Sequence, residues 1–242
     1  DYAVVIDESF VGAYLEKAKT LEQLKQYEEA IENYLITIEL DDPTAFAYCR
    51  VGECNYKLGN RDLALKYFKK TVREDPLLDK GWIALTNLYC EEKRYQKALY
   101  FINKAIAIDE SNTLYWRKYA EINLKLDFYE EVIKAFKNCI EYNDKSLDIF
   151  VGLSDVLNFI GDFEDALKVL ITAMREYPIH AEIEYRIGCL NLILGDDEKG
   201  LKYLRKGLES DFEYHTIFKE LFPGVFDLEM VKEEILKHKK SI

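Results

Sequence analysis

Lys19, Glu53, Asn87, Glu121, Asp155 and Cys189 stand 34 residues apart, one after another, along a chain of 242 residues. The four middle members are polar and three of them are carboxylates, side chains that hold cations in water. Such a row suits reversible capture of a basic group, and the partners that covalent chemistry needs are missing. His180, His215 and His238 are far apart in sequence, and no Cys-x-x-Cys, His-x-x-x-His or Gly-rich phosphate loop occurs. The carboxylate pairs Glu130-Glu131 and Asp196-Asp197 fall at expected turns or helix starts, where they cap and complement the helix dipole. The sequence therefore predicts a chain that is not an enzyme, with no catalytic residue, metal-ligand set or cofactor.

The elements that carry this row are set by a repeat. A small or compact residue recurs at Ala30, Ala64, Ala98, Val132, Ala166 and Gly200, and a bulky apolar one follows four places later at Tyr34, Phe68, Ile102, Phe136, Leu170 and Leu204. Six copies without insertion or deletion are an array. With units starting at residues 11, 45, 79, 113, 147 and 181, each holds two apolar stripes of helical period. Gly59-Asn60, Gly161-Asp162 and Gly195-Asp196 break the units at positions 15 and 16. Pro76 and Pro178 at position 32, and Pro43 one place later in its unit, mark the boundaries between units. Small residues at positions 8 and 20 allow two antiparallel helices to approach closely. Each unit is a helical hairpin that must stack on its neighbours to bury its apolar surface.

Trp82, Leu85, Tyr89, Tyr95, Ala98 and Ala105, with Gly52, Gly59, Ala64, Phe68 and Pro76, resemble the tetratricopeptide repeat. The resemblance spans six units, 11–44, 45–78, 79–112, 113–146, 147–180 and 181–214. It implies an all-α fold, a right-handed α-solenoid superhelix of stacked antiparallel hairpins, whose concave face binds segments of other proteins. Residues 1–10 are then a lead-in, and residues 215–242 are C-terminal capping helices. In that cap, Asp227 is the expected N-cap of a last helix that lays Leu228, Val231, Ile235 and Leu236 on one face. Gly200 and Gly207 replace alanines in the sixth unit and cost about 1 kcal/mol each relative to alanine.

The resemblance also implies that positions 2, 5, 9 and 12 of each first helix face the concave side. The partner-binding candidates along them are Phe46, Glu53, Tyr56, Lys80, Ile83, Asn87, Arg117, Glu121, Asp155, Asn158 and Tyr185. Three carboxylates mixed with aromatic and aliphatic groups suit a protein or peptide with basic and apolar side chains. The alternative reading of each residue by itself is an ordinary solvated helix position. The family's clamp for a chaperone's terminal carboxylate is not matched, because Asp148 and Gly152 stand where its cations belong. Asn55, Asn123 and Asn191 occupy core position 11 in alternate units. Each either ties down the loop at positions 14–16 or forms part of a ladder that grips a ligand's backbone.

The net charge is −12, of which residues 1–44 carry −8, so phosphate-rich nucleic acid is an unsuitable partner. Five cysteines without a spacing pattern predict free thiols in a reducing compartment, the cytoplasm, with Cys139 as buried packing. No apolar run approaches the length of a membrane span. These features predict a non-enzymatic interaction scaffold. The alternatives are a docking or regulatory arm of a larger protein, or a self-associating structural module.

Overall fold

The computed structural model describes residues 11–40 and 44–241, so the lead-in at 1–10 and the boundary at Pro43 lie outside the described residues. The chain is all-α, with no strand among the described residues. It divides into two units, one ending at Leu126 and the other starting at Asp127. The first holds α1 (Val11–Gln23), α2 (Tyr27–Leu40), α3 (Ala45–Lys57), α4 (Arg61–Glu74), α5 (Asp79–Glu91), α6 (Tyr95–Ile108) and α7 (Thr113–Leu124). The second holds α8 (Tyr129–Glu141), α9 (Leu147–Ile160), α10 (Phe163–Glu176), α11 (Ala181–Ile193) and α12 (Asp197–Ser210). A 3-10 turn and three more helices follow: α13 (His215–Leu221), α14 (Pro223–Phe226) and α15 (Glu229–Ser241). Within each unit every helix through α12 packs on the next, the stacked-hairpin construction of an α-solenoid.

The turn inside each hairpin has one geometry whatever residue occupies it. Lys25, Gly59, Lys93, Asp127, Gly161 and Gly195 all have positive φ, between 57° and 87°. Where the turn is glycine this is free of strain; Lys25, Lys93 and Asp127 adopt it against their Cβ. After Lys25, Gly59, Lys93, Gly161 and Gly195 the next backbone N–H closes the helix by bonding back five residues, as from Asn60 to Asn55 O at 2.9 Å and from Asp162 to Leu157 O at 2.8 Å.

Close backbone approach is tightest between α11 and α12. A Cβ on Gly188 would meet Leu204 N at 3.0 Å and Gly200 O at 3.1 Å. The expected penalty of glycine against alanine at 200 and 207 is therefore corrected. A Cβ on Gly200 would lie 2.5 Å from Leu192 Cγ, and one on Gly207 would lie 3.0 Å from the Tyr185 ring. These sites have no room for the methyl group that alanine would add.

The last helix also differs from expectation. Asp227 closes α14 and does not cap α15, which starts at Glu229. Val231 and Ile235 are buried, whereas Leu228 and Leu236 are exposed. α15 packs on α12, where Arg205 Nε lies 2.7 Å from Glu234 Oε2. Arg205 holds the Glu234 carboxyl down to about 2, against the opposing effect of burial. A carboxyl lowered by folding stabilises the fold above its ordinary value near 4.5 and loses that contribution as pH falls towards 2. Arg205 is half exposed, so the pair contributes about 1 kcal/mol. Arg205→Gln is expected to lower the urea midpoint at pH 7, with the gap to the wild-type chain closing by about pH 2. A gap that is the same at every pH would rule out this ion pair as its source.

Candidate functional site

An open groove of about 460 Å³ lies in the first unit. Successive first helices of the hairpins build it: α1 gives Glu22, α3 gives Glu53 and Tyr56, α5 gives Lys80, Ile83, Ala84 and Asn87, and α7 gives Tyr115. Five candidates therefore come together here: Glu53, Tyr56, Lys80, Ile83 and Asn87. Their spacing of three and four residues puts them on one side of their helices, opposite the packed stripe of Val51, Leu85, Leu88 and Tyr89. Lys57 at the end of α3, Phe68 from α4 and Tyr27 at the start of α2 complete the lining.

A half-buried charge network stands behind one wall. Arg50 on α3 bonds both Glu22 of α1 and Glu53 of its own helix, and Tyr34 donates to Glu22 at 2.9 Å. Burial pushes the Glu53 carboxyl up, Arg50 pulls it down and Glu22 pushes it up again. Burial would lower the Arg50 guanidinium, but its hydrogen bonds and the two carboxylates hold it above its ordinary value. Two carboxylates share one guanidinium, and Lys80, also on the groove lining, pulls the Glu53 carboxyl down as well. Farther along, Tyr56 donates to Glu91, to which Arg61 also bonds at 2.7 Å, and Tyr115 donates to Asp79 at 2.5 Å. Each of these bonds joins neighbouring hairpins and fixes the wall's spacing. Lys80 and Asn87 are exposed and make no hydrogen bond or ion pair with the described residues, so they are available to a ligand.

The other candidates are placed differently. Phe46 sits outside the groove with Lys19 Nζ 5.7 Å from its ring centre. Glu121 on α7 is exposed and paired with Lys118 at 2.5 Å, and Arg117 is half-buried on the same helix. In the second unit, Asp155 is bonded to Arg186, and Asn158 borders a separate cleft near α13.

Tyr185 is a correction. It is 2% exposed, because α13 and the 3-10 turn fold over α11. Its ring lies 6.0 Å from that of Tyr214 and 5.9 Å from that of Phe218, and its hydroxyl donates to Asp211 O at 3.1 Å. Every residue from Ile183 to Leu192 is buried, so α11 offers no open stripe at positions 5, 9 and 12.

Sequence reasoning missed the residues that neutralise the acidic row. Arg50, Lys118 and Arg186 all occupy position 6 of their units, and each pairs with the carboxylate of position 9 in its own or the preceding unit. The i,i+3 spacing of Arg50–Glu53 and Lys118–Glu121 was the available signal.

Asn55, Asn123 and Asn191 turn inward. Each donates from Nδ2 to the carbonyl four residues back, Val51, Tyr119 and Ile187, at 2.7–2.8 Å. Asn60 Nδ2 reaches Asn55 Oδ1 at 3.5 Å, so one of the three also touches its loop. These bonds satisfy the amide nitrogens locally, whereas Asn123 Oδ1 is buried without a hydrogen-bond partner among the described residues.

All five thiols are free, and four of them are buried. Burial pushes Cys49 and Cys54 up to about 12 and raises Cys189 as well, so these groups stay protonated and unreactive. Cys139 is fully buried in its helix interface, as packing requires. No helix among the described residues is long and apolar enough to cross a membrane.

Comparison with known proteins follows the same pattern. Residues 15–79 and 181–214 match family models described as tetratricopeptide repeat. A TPR repeat-containing protein, MJ1428, of Methanocaldococcus jannaschii is 24% identical over 213 residues, 78% of this chain and 36% of that protein. The Saccharomyces cerevisiae protein named "Essential for maintenance of the cell wall protein 1" is 26% identical over 64% of this chain and 16% of its own length. This chain thus spans about a third or less of these relatives. Among solved structures, YrrB, described as a TPR protein with an unusual peptide-binding site, aligns with a TM-score of 0.63 at 18% identity. That alignment covers 81% of this chain and 98% of YrrB. A tetratricopeptide repeat protein from Parabacteroides merdae aligns with a TM-score of 0.60 at 14% identity over 96% of this chain and 99% of its own. At these identities the likeness is one of fold.

Proposed function

Because this chain belongs to the tetratricopeptide repeat family, we propose that it is a non-enzymatic adaptor that grips a segment of a partner protein in the first-unit groove. The convergence of Glu53, Tyr56, Lys80, Ile83 and Asn87 on one open cavity carries this reading. Lys80 and Asn87 supply free donors for the segment's carbonyl or carboxylate oxygens. Ile83 and the Tyr56 ring give an apolar side chain a surface to lie on. YrrB, described with a peptide-binding site on the same fold, is consistent with this use. The chaperone carboxylate clamp plays no part in it, and five free thiols suit a cytoplasmic setting.

A partner recovered from lysate and identified by mass spectrometry is the starting reagent for the test. Its affinity is expected to fall at least tenfold, about 1.4 kcal/mol, for Ile83→Asp and again for Lys80→Ala combined with Asn87→Ala. Helix content should change little, because Lys80 and Asn87 are exposed and Ile83 is only half-buried. Undiminished recovery by both variants would place binding elsewhere. A second reading is favoured by the small share of its relatives that this chain spans, namely that the groove serves as the docking arm of a longer protein.

A further inference from the structure

A second cleft, also of about 460 Å³, opens in the second unit among Phe163, Leu192, Leu221, Val225 and Leu228. It exists because α13 stops early. α11, the preceding first helix, runs 13 residues, and α13 runs 7. Pro223, which lacks an N–H, turns the chain into the four-residue α14 at that point. Phe222 and Val225 tuck inward, while Leu221 and Leu228 stay exposed on the cleft's edge, and Ile193 of α11 is exposed beside them. The six-residue shortfall corresponds to about 9 Å of helix.

The charge around this cleft has one sign. Asp162 and Glu164 flank Phe163, and Asp227 precedes Leu228; farther off, Asp197 starts α12, and Glu220 lines a separate hollow with His215, Thr216, Lys219 and Phe226. All five are exposed and form no ion pair with the described residues. Lysines close by in sequence are already engaged: Lys168 with Asp165 at 2.6 Å, Lys199 with Asp196 at 2.6 Å, Lys232 with Glu229 at 3.2 Å, and Lys219 over the Phe226 ring at 5.3 Å. Several of these acids also complement helix dipoles, and Lys168 offsets part of the charge of Asp162 and Glu164, but the exposed charges next to Phe163 and Leu228 in the chain are acidic.

We propose that this cleft docks a short basic amphipathic helix of a partner protein, with its apolar face on Leu221 and Leu228 and its Lys or Arg side chains on the acidic rim. A second copy of this chain is a poor occupant, since its net charge is −12. The most basic helix end among the described residues, in α15, already commits Val231 and Ile235 to packing on α12.

Three fluorescein-labelled 14-residue probes test the proposal by anisotropy against the whole chain: a Leu/Lys amphipathic helix, its Leu/Glu counterpart and a Ser/Lys peptide of the same charge. The Leu/Lys probe is expected to bind at least tenfold more tightly than either other probe, and to weaken as salt rises. Leu221→Glu with Leu228→Glu should reduce that affinity at least tenfold. Asp162→Lys with Asp227→Lys, which disturbs no packing, should do the same while leaving partner binding at the Lys80 groove intact. Equal binding of the Ser/Lys probe, or no loss in either variant, would overturn the proposal. So would a dimer in sedimentation that the leucine variant abolishes, because the cleft would then belong to a second copy.

Discussion

Replacing Arg186 by alanine is expected to lower the unfolding free energy by about 3 kcal/mol, with the loss concentrated in α9 to α11. The guanidinium is 6% exposed and is held on two sides. It bonds Asp155 of α9 across the helix interface and Glu182 of its own helix at 3.0 Å. Burial would push Arg186 down, but the two carboxylates outweigh it and hold it above its ordinary value. Removing the cation has unequal effects on its partners. Asp155 is 45% exposed and can turn to water, whereas Glu182 is 18% exposed and remains charged in a packed interface. Arg186→Met combined with Glu182→Gln removes both buried charges and should recover most of the loss, since a matched apolar pair is often as stable as a buried ion pair. Urea denaturation gives the magnitude, and hydrogen exchange shows whether the opening is confined to these helices. A loss below about 1 kcal/mol for the alanine variant would mean that water reaches this interface.

Gly188→Val is the other large effect, also about 3 kcal/mol, and its cause is steric. The new Cβ would press on Leu204 N and Gly200 O, backbone atoms that cannot rotate aside. α11 and α12 would have to separate, undoing the closest contact in the second unit. Gly52 provides the comparison. There a Cβ would meet the Phe68 ring at 2.6 Å, a side chain that can turn, so Gly52→Ala should cost clearly less. Thermal denaturation of the two variants decides the point: equal losses would mean that side-chain neighbours resist as firmly as backbone does.

The hairpin geometry was legible in the residues because it depends on local rules. A period of 34 residues, helical spacing of apolar groups, small residues at positions 8 and 20 and turn residues at 15 and 16 all act within one hairpin. The left-handed turn even recurs at Lys25, Lys93 and Asp127, where no glycine signals it, because neighbouring helices fix the chain reversal. The first-unit groove was legible for the same reason: helical spacing alone puts Glu53 with Tyr56, and Lys80, Ile83 and Asn87 together.

What the sequence by itself determined is which side of each helix is packed, and therefore that stacked hairpins would form. Tertiary structure decided which of the remaining side chains stay free. Tyr185 lost its exposure to α13, and the carboxylate of Asp155 gained the cation of Arg186. Asp155 meets Arg186, 31 residues further on, only when one hairpin lies against the next. Spacing along a helix fixes direction, but burial and charge pairing are set by whatever folds over it from elsewhere in the chain.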